Sequence, residues 1–295
     1  MTTAAPARGR QHRWSGALWV LPAFTIYAAF VLYPLVDTVR YSLFDWDGVG
    51  VARWVGLANY AAVFTQPDLF GSIANAFVLM VFFVVFPILI GLSAAILIQD
   101  IRSGAFSAIA RVLMFIPQII PLAGAAIVWV WIYSSDGPLN GVLRAVGLEN
   151  ATRPWLGEFE TALAAVGIIG TWVASGLCTL LFSAGIGRID PSLFEAAALD
   201  GAGRIRRARA ITLPALRSEV VVAATLLMIA TLSSFDIIYV ATAGGPGYTT
   251  MVPGVLIYRL VFTSQEVGLA SALGVVLTVL ILAIVVPTQL LGRRR

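Results

Sequence analysis

Six stretches of the chain are apolar for long enough to cross a bilayer as helices, which takes roughly 20 residues each. They run from about Leu18 to Val36, Phe77 to Ile98, Val112 to Trp131, Leu163 to Ile186, Val220 to Val240 and Leu269 to Leu290. Pro22, Pro34, Pro87, Pro117 and Pro121 lie inside or at the edges of these stretches. Such prolines argue against soluble helices but not against spans, because packed neighbours can satisfy the backbone groups they free. The pattern predicts an all-α polytopic membrane protein with six transmembrane helices. Residues 1–13 are expected to be a flexible cytoplasmic tail and residues 14–295 a transmembrane domain, with no room for a globular soluble domain.

The amino terminus superficially resembles a signal peptide, a charged region followed by an apolar one. No small-residue cleavage site follows and the apolar stretch is long enough to span, so a retained span is expected. Trp14, Trp19, Trp129, Trp131 and Tyr133 fall near span ends, where interfacial anchors belong. Loops are expected at 37–71, 134–161 and 241–267. The second holds LNGVLRAVGL, a possible short surface helix, and the third a tight turn at Gly244-Gly245-Pro246.

Composition agrees with the pattern. The chain is 59% hydrophobic and 12% charged over 295 residues, where a soluble domain carries about a quarter charged residues. All 19 basic side chains are arginine. The amino terminus is placed in the cytoplasm because fourteen arginines then lie inside and five (Arg40, Arg53, Arg144, Arg153 and Arg259) outside. Both termini are then cytoplasmic, as is the loop between the fourth and fifth spans. His12 and Cys178 are the only histidine and cysteine, which excludes histidine-based metal clusters, acid–base triads and an internal disulfide. Without lysine there is no G-x-x-x-x-G-K-[ST] phosphate loop, so any ATP-derived energy must come from another subunit.

The polar segment EAAALDGAGRIRRARAITLPAL, Glu195 to Leu216, interrupts this apolar chain. A helix start precedes it: either Asp190 caps with Pro191 at the first helical position, or Ser192 and Glu195 form a capping box. Phe194, Ala197 and Ala198 then share a face, and Gly201 and Gly203 end the helix in a sharp turn. A second, basic helix, RIRRARAI, follows, and Pro214 ends it or marks the entry to the fifth span. The four arginines Arg204, Arg206, Arg207 and Arg209 fix topology at the least; the small-faced helix also suits docking into a groove.

The segment resembles the cytoplasmic EAA motif of ATP-binding-cassette importer permeases: E-A-A, three residues, G, nine residues, I-x-L-P. Glu195, Ala196, Ala197, Gly201, Ile211, Leu213 and Pro214 fill every fixed position. WVGLANYAAVF (Trp54 to Phe64) and TAGGPGYTT (Thr242 to Thr250) are similar to segments of the maltose-type sugar permeases. The resemblance implies a permease subunit of a binding-protein-dependent importer in the bacterial inner membrane, with carbohydrate or glycerol-phosphate-like cargo. It implies no catalysis and no cofactor in this chain, ATP and Mg being used by two cytoplasmic ATPase subunits. A second permease, an extracytoplasmic solute-binding protein and membrane lipid complete the partners, with no nucleic acid. The loop over residues 188–217 would couple to the ATPase, with the four arginines as possible charge contacts.

Polar and aromatic residues at membrane depth are the candidates for the cargo path or gate: Asn75, Thr171, Trp172, Ser175, Ser233, Ser234, Phe235 and Asp236. Serine and threonine in spans commonly bond helix to helix instead. Asp236 is the more telling residue, because a carboxylate inside a membrane is costly. A secondary transporter would show repeats and buried coupling-ion ligands, a membrane enzyme clustered His, Asp or Ser groups, and a structural subunit would leave the polar loop without a task.

Overall fold

The computed structural model describes residues 12–99, 101 and 104–293. The expected tail through residue 11, together with Arg8, Arg10, Arg102, Arg294 and Arg295, lies outside the described residues, as do the side chains of Trp14, Arg13 and Arg293.

Helix α1 (His12–Tyr27) runs through a π turn (Ala28–Leu32) into α2 (Tyr33–Tyr41). The first span therefore continues past Val36, and the loop begins at Ser42 rather than Asp37. Ser42 ends the helix by donating to Val39 O and by bonding the hydroxyl of Tyr60. Strands β1 (Phe44–Asp45) and β2 (Arg53–Trp54) pair antiparallel in the first loop, a small exception to the all-α expectation. Asp47 closes their connection, its Oδ1 accepting from the backbone N of Val49 and Gly50. Those two N–H groups hold the Asp47 carboxyl below its usual range.

Helices α3 (Ala58–Thr65) and α4 (Pro67–Met80) follow, and α4 passes through a π turn (Val81–Val85) into α5 (Phe86–Gln99). The second span thus starts ten residues before Phe77, at Pro67, and is 33 residues long. The third is broken: α6 (Gly104–Ile119) and α7 (Leu122–Ile132) meet at 97°. Pro121 has extended backbone (φ −54°, ψ 137°) and no N–H to continue the ladder. The expected surface helix is α8 (Pro138–Ala145), and the fourth span is α9 (Ala162–Ile186). Next come α10 (Pro191–Leu199), α11 (Arg204–Arg207), a π turn (Ala208–Thr212) and α12 (Leu213–Ala215).

The fifth span is shorter than expected. Helix α13 (Arg217–Leu232) stops at Ser233, and a separate α14 (Asp236–Ala241) follows. Helix α15 (Pro253–Phe262) lies within the predicted third loop, and α16 (Val267–Arg293) is the last span. Among the described residues, four helices are long and apolar enough to cross a membrane, or up to six if each bent pair forms one span.

Three of the helix prolines are accommodated by one recurring device. Pro34, Pro87 and Pro214 each stand second in a helix entered from a five-residue π turn. The carbonyl that a helical proline would strike belongs to the residue four earlier. That residue is Phe30, Phe83 or Ala210, in each case the centre of the π turn, where the widened backbone relieves the clash.

Helix α9 is the centre of the packing. One buried cluster joins it to α4, α15 and α16 through Ile73, Leu79, Ile169, Val255 and Leu273. The other joins it to α5 and α13 through Ala95, Phe182, Leu216 and Leu227. A Cβ at Gly91 would collide with Cys178 and lie 2.7 Å from the backbone N of Thr179, so α5 and α9 touch nearly backbone to backbone. Trp19 and Trp131 are exposed as anchors should be, but Tyr133 is 4% exposed. It turns inward because its ring packs on Trp129, 5.0 Å away.

Candidate coupling loop and cargo cavity

The polar segment is an ordered structure. Helix α10 starts at Asp190, whose Oδ1 accepts from the Ser192 backbone N at 2.9 Å with Pro191 at the first helical position. This selects the Asp190 start over the Ser192–Glu195 capping box. That hydrogen bond lowers the Asp190 carboxyl pKa. At the other end Gly201 has φ +72°. Gly201 N donates to Ala198 O at 3.1 Å and Ala202 N to Ala197 O at 2.9 Å, the two bonds of a Schellman turn. Phe194 and Ala197 face inward and are half-buried, whereas Ala198 is exposed, so the three do not share one covered face.

The second helix is longer than RIRRARAI. It runs from Arg204 to Ala215 and turns by 68° into α13, so Pro214 does not end it. Within it Thr212 is buried and Ile211 half-buried, while Leu213 and Pro214 are exposed. Leu216 is fully buried at the bend, against Gly185 of α9. Arg188 and Glu219 form an ion pair that ties the end of α9 to the start of α13. Sequence reasoning missed this pair, although the two residues flank the loop with opposite charges.

Between α10, α11 and the ends of α5 and α9 lies a cavity of about 430 Å³, lined in part by Gln99, Phe194, Glu195, Arg204, Arg207 and Thr212. The Nε of Arg207 is buried without a partner, while Arg206 and Arg209 are exposed. Glu195 and Ala196 are exposed, and so are the apolar side chains of Leu193, Leu199 (90%) and Ile205.

A second cavity, about 460 Å³, lies where the breaks of the third and fifth spans face each other. Gln118 and Leu122 come from the first break, Ser233, Ser234, Phe235 and Asp236 from the second. One face of α9 (Gly170, Val173, Ala174 and Leu177) forms its wall. The Oγ of Ser234 is buried without a partner; that of Ser233 donates to Ile229 O. Phe235 stacks on Tyr239 at 4.8 Å, with Tyr258 edge-on to both.

The remaining membrane-depth candidates are engaged elsewhere. Asn75 Nδ2 donates to Met251 O (3.0 Å) and Tyr248 O (3.2 Å), bracing the TAGGPGYTT loop. Thr171 Oγ1 donates to Phe82 O at 2.6 Å and ties α9 to the π turn of the second span. Ser175 bonds Trp172 O within its own helix, and Trp172 packs edge-on to Trp129. Gln118 escaped the sequence reading. Its signal was a polar residue between Pro117 and Pro121 inside an apolar run, the mark of a broken span.

Among the described residues, four apolar helices long enough to cross a membrane, or up to six with the two bent pairs, give the chain the make-up of a membrane component. The family model of the binding-protein-dependent transport system inner membrane component matches residues 87–295, and the chain belongs to that family. It is 32% identical over 269 residues to the probable ABC transporter permease protein YurN of Bacillus subtilis (strain 168), covering 90% of this chain and 92% of that one. It is likewise 32% identical to the trehalose/maltose transport system permease protein MalF of Thermococcus litoralis, covering 95% and 94%. The fold matches a crystal structure of a bacterial ABC transporter that imports alginate, with TM-score 0.82, 22% identity and coverage of 95% and 96%. The chain is therefore a permease subunit of an ABC importer, a transport component rather than a catalyst.

Proposed function

We propose that the chain carries a carbohydrate across the bacterial inner membrane and is driven through residues 190–214 by a separate ATPase. One observation carries this reading. Helix α10 has nine residues and buries none of them, yet it is capped at both ends and braced at its root. So short a helix normally owes its stability to tertiary packing. An exposed, fixed helix edged by Leu193 and Leu199 is suited to the groove of another subunit.

Glu195, Ala196, Ala197 and Gly201 form the docking helix and its turn. Ile211 and the buried Thr212 root the second helix, with Leu213 and Pro214 at its exposed end. Arg204, Arg206, Arg207 and Arg209 provide the positive rim. Closure of two ATPase subunits, which bind ATP and Mg, displaces α10. The bend at Leu216 passes the movement to α13 and so to the break at Ser233–Phe235. Both termini lie in the cytoplasm with the loop. A second permease and an extracytoplasmic binding protein complete the importer. Carbohydrate cargo rests on the sugar-permease relatives and on a cavity that offers hydroxyls, an amide and an aromatic face.

The test is uptake of a panel of radiolabelled sugars by cells carrying the assembled complex, with active or disabled ATPase. Uptake of at least one sugar only with the active ATPase is expected. Uptake that ignores the ATPase would overturn the reading.

A further inference from the structure

We infer that the cavity between the two helix breaks discriminates against anionic cargo and that Asp236 sets this preference. The inference rests on reading that cavity as part of the cargo path.

Among the described residues lining the cavity, Asp236 is the only ionisable one. Its neighbours offer neutral hydrogen-bonding groups: the Gln118 amide, the Ser233 hydroxyl and the unpartnered, buried hydroxyl of Ser234. Phe235 adds an aromatic face, held by its stacking on Tyr239. Hydroxyl-bonding groups beside an aromatic ring suit a neutral sugar.

Among the described residues, no cation is paired with the Asp236 carboxylate, and no arginine lines the cavity. Four of the arginines placed on the outer side are engaged elsewhere. Arg53, Arg144 and Arg153 pair with Asp45, Asp136 and Glu158, and Arg259 donates to Ala243 O. A second negative charge brought within several ångström of Asp236, in a partly wet, protein-lined site, would be disfavoured by about tenfold or more. A neutral oligosaccharide meets no such barrier, whereas a uronate or a sugar phosphate does.

The solute-binding protein also selects cargo, so the test must read the cavity itself. The assembled transporter, in Cys178→Ala background, carries the exposed Ser233→Cys as reporter, with Ala230→Cys as a second reporter in the same cavity. Two methanethiosulfonates, the neutral hydroxyethyl and the anionic sulfonatoethyl reagent, measure access. The ratio of neutral to anionic rates is expected to fall about tenfold in Asp236→Asn and to be kept in Asp236→Glu. Being internal to each variant, the ratio does not depend on how much protein survives purification. An unchanged ratio in Asp236→Asn at both reporters overturns the inference. In a separate arm, read at Ala230→Cys, which lines the cavity and has no part in the proposed sugar contacts, a neutral sugar that is taken up should slow labelling by the neutral reagent. Failure of that protection with an intact charge ratio would instead refute the cargo reading on which the inference rests.

Discussion

Helices α9 and α10 are consecutive, are rich in the same small and apolar residues, and use them in opposite ways. Sixteen of the 25 residues of α9 are buried, whereas no residue of α10 is. In α9 small residues permit contact: a Cβ at Gly176 would collide with the Met114 carbonyl oxygen, so α6 and α9 touch there without side chains. In α10 none of the alanines is buried, and Gly201 has nothing within 4 Å of its missing Cβ. Its glycine is required by φ +72° alone. The same residue type thus serves packing in one helix and turn geometry in the next. Composition cannot separate the two uses, but burial does.

The largest break in this contrast should come from Gly176→Leu. Forcing a side chain between α6 and α9 should cost about 3 kcal/mol and lower the Tm and membrane yield of the purified chain; a wild-type Tm would show that the helices are not in contact.

Gly201→Asp should do the reverse. The turn faces open space, so the strain is confined to one left-handed residue, about 1 kcal/mol. Membrane levels should stay near wild type while ATP-driven uptake falls tenfold or more. Normal uptake at normal levels would separate Gly201 from coupling.

The smallest effect concerns the start of α10. Because the folded Asp190 carboxyl lies below its ordinary pKa of 3.8, the cap's contribution is fully present above that value. It is lost as pH falls through the lower, folded value. Hydrogen exchange at the Ser192 amide, corrected for intrinsic rate, should speed up between pH 5 and pH 2.5 relative to amides of α9. Parallel behaviour of the two helices would remove the cap from the account.

The fourth span was legible because a membrane crossing demands a long apolar run, and α9 agrees with its sequence-based bounds to within one residue. The glycine turn after α10 was legible for a local reason, since left-handed backbone restricts residue choice. The breaks at Pro121 and at Ser233–Phe235 were not read as breaks, because a run of apolar residues looks the same on either side of a bend. Their meeting is a long-range contact between α7 and α14, and no local pattern encodes it. Consequently Ser233, Ser234, Phe235 and Asp236 were named as candidates, but Gln118 on the facing break was not. Asn75 shows the converse. A polar residue in a span invites a cargo role, yet here it braces a distant loop through two backbone carbonyls.

The proposal that α10 docks on a separate ATPase is tested most directly by a thiol at Leu199, the most exposed apolar side chain of that helix. In Cys178→Ala background and in inside-out membrane vesicles, Leu199→Cys should react rapidly with a membrane-impermeant maleimide when the ATPase is absent. It should become protected, and cross-linkable to an ATPase cysteine, in the assembled importer. Equal labelling in both states, in a complex that still transports, would contradict the account.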